Sequence, residues 1–280
     1  MKRALYVLLF LLFSKNLSAA DLTAETYWEG LKSSVTLLYQ GSYMQFTAEN
    51  NLYYAGAAVP ALWYSFEEDK RITHHQMKKR IPKYMQVSSD LAPVLSFPII
   101  PITVFSLGAK YDNPKAVQFA KETFATMYLA LAESAALSVI DVHERPKKDK
   151  LSKWETNFRG KSSFPSGHVV PYAALTLKTL QFYGPYWAAV PGALFVATSF
   201  QRIKDGKHYL SDVVGGFFLT AFAAEGVRKA GKYQDTDTAY KSIFDTYRIG
   251  YTAYEGVVGP MISFDSVSYT HLRAHETSLH

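Results

Sequence analysis

The sequence points to an all-α protein. Apolar stretches of helical length recur between short polar connections, and sustained period-two alternation is scarce. Composition agrees with one folded domain and a sizeable core: 280 residues, 48% hydrophobic and 19% charged, a balance that excludes disorder, collagen and coiled coil.

At the N-terminus, Lys2 and Arg3 precede an apolar run from Ala4 to Phe13 and then the small-residue stretch Leu17-Ser18-Ala19-Ala20. Basic, apolar and small-residue segments in that order describe a signal peptide over residues 1–20, and the run is shorter than the ~20 residues a membrane span requires. The folded domain is expected over residues 21–232, with helices at Leu22 to Tyr39, Leu52 to Phe66, Ile72 to Met85, Leu91 to Leu107, Pro114 to Ile140, His168 to Phe182, Tyr186 to Phe200 and Tyr209 to Ala230. Leu52 to Phe66 is too brief to cross a membrane. Leu91 to Ala109 carries no charge but holds Pro93, Pro98 and Pro101; Thr179 to Gln201 is uncharged but broken by Gly184-Pro185 and Pro191-Gly192. Glu133, Lys178 and Glu225 interrupt the remaining candidates, and an ionised group in hydrocarbon is costly. Buried helices of a compact bundle therefore fit better than six spans. Parity agrees, because an exported N-terminus and an outward-facing Arg145 need an even number of crossings between them, whereas three candidates lie there.

Residues 233–266 read as a C-terminal extension that is cut short, with a strand-like pattern in Gly250 to Phe264. Residues 267–280 resemble the translation of a sequencing-library adaptor, so His271, His275 and His280 are set aside as metal ligands.

The charge balance is mildly basic, 30 Lys and Arg against 24 Asp and Glu, a net +6. That suits an anionic partner such as a phosphate or an acidic lipid surface; without long basic runs, no nucleic-acid partner is expected. The absence of cysteine excludes disulfides, thiolate-bound zinc, iron–sulfur clusters and a thiol nucleophile. The chemistry falls to His, Asp, Arg, Ser and Lys.

Three clusters contain these residues in order: Glu144-Arg145-Pro146, then Phe164-Pro165-Ser166-Gly167-His168, then Arg202 with His208 and Asp212 at +6 and +10. Singly, each has a plain structural explanation. Arg145 is a solvated side chain before a turn-forming proline, Ser166 a helix cap, and His208 an ordinary surface or core histidine. His74-His75 and His143 lack partners at metal-ligand spacing and read as structural or surface residues. Tyr183, Tyr186 and Trp187 have the character of an interfacial belt, but beside Gly184-Pro185 they read rather as packing a helix turn.

Together the clusters resemble the three motifs of the type 2 phosphatidic acid phosphatase (PAP2) superfamily, which includes bacterial class A acid phosphatases and vanadium haloperoxidases. The resemblance runs from about Ser138 to Gly216 and includes the spacing Arg202-x5-His208-x3-Asp212. It implies a PAP2-type helical bundle and an exported, metal-independent phosphatase acting on phosphate monoesters, lipid phosphates or pyrophosphates through a phosphohistidine, with no cofactor. It also implies roles: His208 as nucleophile, His168 as the acid and then base, Asp212 as the partner of His208, and Arg145 and Arg202 as clamps on the phosphate oxygens. Ser166, Gly167 and the following helix N-terminus would complete the anion site, with Gly167 allowing close backbone approach. The expected location is the periplasm or cell envelope, soluble or associated with the membrane.

Two positions depart from the pattern. Ser138 stands where the family's first motif has lysine, and Gln201 where the third has serine. The lost charge leaves open a weakly active or non-catalytic binder of phosphate or lipid headgroups, and the same anion cradle, holding vanadate, leaves open a vanadate-dependent haloperoxidase. Lys147, Lys148, Lys150, Lys161 and Lys207 are candidates to replace the charge.

Overall fold

Thr23 opens the first helix by accepting the Thr26 N–H on its hydroxyl at 3.2 Å, which satisfies one of the donors a helix start leaves unpaired. The computed structural model describes residues 22–147 and 162–233 in full, and the backbone of 247–254 and 257–264. Residues 1–20 and 267–280, and Lys148, Lys150 and Lys161, lie outside the described residues. Among these, the chain to Tyr233 forms α1 (Ala24–Met44), α2 (Asn50–Met77), α3 (Lys83–Leu95), α4 (Ile99–Lys110), α5 (Pro114–Leu137), α6 (Val170–Tyr183), α7 (Pro185–Lys204) and α8 (Leu210–Gly231). The expected all-α class is the observed one. A separate unit holds an antiparallel hairpin, β1 (Tyr247–Tyr254) and β2 (Val257–Phe264), in the region read as strand-like.

Two helix boundaries differ from expectation. The sequence divides α2 near Glu67-Glu68-Asp69-Lys70-Arg71, whereas the helix runs through it and stops at Met77, so Ile72 to Met85 straddles a helix end and a helix start. The charged run is helical surface: Glu68 and Arg71 pair at i,i+3, and Asp69 turns inward and is buried. Leu91 to Leu107 is not one helix either. Pro98 ends it, and α3 and α4 meet at 67°.

α8 is the central helix, packed on α1, α2, α5 and α6. The core it shares with them is rich in small residues, Ala125, Ala130, Ala223 and Ala230 beside Leu37, Leu129, Val170 and Val227. Small side chains let helices approach closely. A Cβ on Gly226 would lie 2.5 Å from the Gly41 carbonyl, so this crossing needs glycine for contact distance.

The charges that interrupt the apolar stretches are paired inside the bundle. Lys178 on α6 is fully buried and donates to Glu122 of α5 at 3.1 Å, to Gln181 at 2.9 Å and to the Ala224 carbonyl at 2.8 Å. Gln181 in turn donates to Glu225 at 2.9 Å, which also accepts from Asn50 and Arg228. Burial pushes the Lys178 ammonium below its ordinary range, opposed by the charge of Glu122. Glu133 accepts from Gln45.

Among the described residues, α8 alone is long and apolar enough to cross a membrane by length and composition, and 67% of its apolar window is buried by protein; α3 and α4 pass together only as a bent pair. Large apolar side chains are nonetheless exposed on α1 (Trp28, Tyr39), α2 (Trp63, Tyr64) and α7. Tyr186 and Trp187 are 82% and 64% exposed, so they do not pack the helix turn expected of them; Gly184, with φ of 84°, makes that turn by itself.

Candidate active site

The head of α8 collects the three sequence clusters. Tyr209 is the N-cap, and Asp212, three residues on, accepts the Tyr209 N–H on Oδ2 at 2.8 Å. The same Oδ2 lies 3.2 Å from His208 Nδ1, with both side chains fully buried. An acceptor on Nδ1 fixes the proton there and leaves Nε2 with its lone pair. Burial pushes the Asp212 carboxyl up to about 7; the Tyr209 N–H, the Ser163 hydroxyl and Arg145 oppose the rise, and Asp69 adds to it.

The Pro-Ser-Gly-His loop packs directly on this helix. Ser166 donates its N–H to the Asp212 carbonyl at 2.9 Å, and a Cβ on Gly216 would lie 2.6 Å from the Ser166 carbonyl. The Phe164–Pro165 peptide is cis. Ser166 does not cap α6, whose N-cap is Val169, three residues later. Its hydroxyl is buried without a hydrogen bond among the described residues, in the loop that carries His168. The His168 and His208 rings are 6.3 Å apart between centroids.

Arg202 lies buried in the last turn of α7, and its carbonyl accepts the His208 N–H at 3.3 Å, which ties the third cluster into one turn. Arg145 is half-buried in the connection after α5, close enough for its charge to hold Asp212 down. Lys147 donates its N–H to the Gly206 carbonyl at 3.0 Å, which brings the first cluster beside the third. Gly167 is half-buried and does not adopt positive φ.

The two departures from the family pattern have structural accounts. Ser138 is the buried C-cap of α5, and its hydroxyl donates back to the Ala135 carbonyl at 2.7 Å. Gln201 is buried and donates to Gln86 of α3 at 3.2 Å, so its amide serves helix packing.

Two residues beside Asp212 escaped the sequence analysis. Asp69 reaches from α2 to the head of α8, accepting the Ser211 N–H at 2.8 Å and the Ser211 hydroxyl at 2.5 Å. Burial pushes its carboxyl upward, against the pull of Ser211 and His143. His143, expected to be structural or on the surface, is half-buried with Nε2 3.4 Å from Asp212 Oδ1. No spacing signal links either residue to His208, because both contacts are made across the fold.

The family comparison accords with this geometry. Residues 123–234 match the family model of the PAP2 superfamily. This segment is a PAP2-superfamily domain. The PAP2 match begins inside α5 and ends just beyond α8, so it contains all three motif clusters and leaves α1 to α4, including Asp69, before it. PAP2 proteins generally hydrolyse phosphoric esters, so the match suggests a phosphatase-type activity. No curated protein and no solved structure matches the chain.

Proposed function

We propose that the protein is an exported phosphatase that hydrolyses phosphate monoesters through a phosphohistidine on His208. The observation that carries this reading is the buried Asp212–His208 pair, 3.2 Å between Oδ2 and Nδ1, at the head of α8 inside the PAP2 segment. With Nδ1 protonated toward Asp212, Nε2 attacks phosphorus; the N–P bond forms as the ester P–O bond breaks, and His168 gives its proton to the departing oxygen. In the second step His168 takes a proton from water, whose oxygen attacks phosphorus. The N–P bond breaks, its electron pair returns to Nε2, and phosphate leaves. Arg145 and Arg202 supply cationic forks for the equatorial oxygens, and the Ser166–Gly167 backbone supplies the cradle. The assignment to an exported location rests on the character of residues 1–20.

The test is phosphate release from monoesters by the purified protein in the presence of EDTA, with His208→Ala alongside. Release by the wild type and loss of about 10³-fold or more in the variant is the expected result, in the range of removing a nucleophile's chemistry. Equal release from both overturns the nucleophile assignment.

A second reading, a phosphate or lipid-headgroup binder with little turnover, is favoured by Ser138, whose hydroxyl is folded onto its own helix and brings no charge to the site. Phosphate binding without release from any ester would select it. A lipid phosphate as substrate is supported by the exposed apolar face of Tyr186, Trp187 and Val190 on α7, which suits the boundary of a lipid layer.

A further inference from the structure

Asp212 must keep one oxygen on His208 while its other oxygen is held by something else. Oδ1 is buried without a well-formed hydrogen bond among the described residues; the Ser163 hydroxyl is near the Asp212 carboxyl, and His143 Nε2 stands 3.4 Å from Oδ1. The proton on that nitrogen follows from its neighbours. Ser211 gives its single hydroxyl proton to Asp69 at 2.5 Å, so the Ser211 oxygen, 3.3 Å from His143 Nε2, presents a lone pair to it. Asp212 Oδ1 and the Ser211 oxygen therefore face Nε2, with Asp69 Oδ2 at 3.9 Å, while Nδ1 faces the Ser163 hydroxyl and, at 3.4 Å, the Glu144 carbonyl; the two carboxylates favour the hydrogen on Nε2. The opposite ring nitrogen sits 3.0 Å from the Ser163 hydroxyl, and the Ser163 N–H is bonded to the His143 carbonyl at 3.1 Å, which fixes ring and backbone together. Phe66 and Tyr209 hold the ring edge-on from two sides, at centroid distances of 5.8 and 4.8 Å.

We propose that His143 is a positioning residue for the Asp212–His208 pair: its Nε2–H holds Asp212 Oδ1, with Asp69 and Ser211 bracing it from α2, so that Oδ2 stays on His208 Nδ1. This rests on the reading of His208 as nucleophile, and it names a histidine outside the three motifs. The charged and titratable groups that face Asp212 are Asp69 from α2, Arg145 from the connection after α5, and Tyr209 and His208 from the head of α8, with His168 beside His208. Losing a donor to the carboxylate favours its protonated form, which no longer holds His208 in the attacking tautomer.

The test compares wild type, His143→Ala and His143→Gln, the last of which keeps an N–H donor on the side chain. Two readouts are used: kcat and KM across pH, and the His208 Nδ1–H signal in ¹⁵N-histidine NMR of the full chain. For His143→Ala the expected outcome is a fall in kcat of about tenfold with KM within about twofold, and an acid limb displaced upward by about one pH unit, the scale of a lost partner at a carboxylate. The pH at which the His208 Nδ1–H signal is lost moves the same way, and His143→Gln restores both. If His143→Ala retains the wild-type pH profile and NMR signal while folded by circular dichroism, the positioning role is overturned. Failure of wild type to turn over any ester overturns the phosphatase reading alone, because the NMR signal still decides whether His143 holds the pair.

Discussion

The segment α5 to α8 and the segment α1 to α4 are both helical, but they do different work. The first contains every motif cluster and the family match, and it buries its charges in satisfied networks around Lys178, Glu122 and Glu225. The second lies before the match, exposes many of its large apolar side chains, and reaches the site through Asp69 on Ser211 and near His143, with Phe66 against the His143 and Phe164 rings. The difference separates groups placed to perform chemistry from a group that keeps the helix carrying them in place. A helix start with unpaired N–H groups needs an acceptor, and here a carboxylate from the earlier segment provides it.

That division can be broken by substitution. The largest effect is expected from Asp212→Asn, which preserves shape but removes the acceptor that fixes the His208 proton; kcat should fall by about 10² to 10⁴, read as phosphate release at saturating substrate. Retained activity would detach the chemistry from the α8 head. Next is Lys178→Ala, which strands Glu122 in a fully buried site, and breaking such a pair costs about 3–5 kcal/mol. Urea unfolding should show that loss, and an unchanged midpoint would mean the network is not what binds α5, α6 and α8. Gly216→Ala should cost about 1–3 kcal/mol, because the new methyl meets the Ser166 carbonyl at 2.6 Å and backbone must move. It should also lower kcat by shifting the loop that carries His168.

Asp69→Asn tests the earlier segment directly. Asp69 raises the Asp212 carboxyl, which burial already holds at about 7, so neutralising it should lower the value. The acid limb of kcat/KM, which reports the free enzyme, should then move to lower pH, opposite to the effect of His143→Ala. Stability carries the matching sign: a carboxyl raised in the fold disfavours folding as pH climbs from its unfolded value near 4 toward 7, and Asp69→Asn should flatten that part of the stability curve. The smallest effect belongs to Tyr186→Ser with Trp187→Ser. Both side chains are exposed, so stability should stay within about 0.5 kcal/mol, while sedimentation with anionic vesicles should fall if this face meets lipid.

Much of the later segment was legible because its information is local. Pro185 and the Gly184 turn mark a helix start, and the interval from His208 to Asp212 needs only a helix beginning between them to bring the two together. The helix starts with Tyr209 as cap, so that condition is met. The earlier segment misled where local signals conflict with packing. Glu67 to Arg71 has the composition of a solvated connection, yet one of its carboxylates is buried by contact with a residue 142 positions away. Charges read as barriers to a membrane crossing, Lys178 and Glu225, are buried in protein because partners on other helices meet them.

The sequence by itself determined the helical class, the order of the motif clusters, and the pairing of His208 with Asp212, since periodicity and i,i+4 spacing are properties of a few adjacent residues. Only the tertiary structure decided that Asp69 and His143 stand behind that pair, that Ser138 and Gln201 turn away from it, and that Gly216 admits the Ser166 loop. Those outcomes depend on which surfaces meet when the helices pack, and contact between residues distant in the chain leaves no local pattern to read.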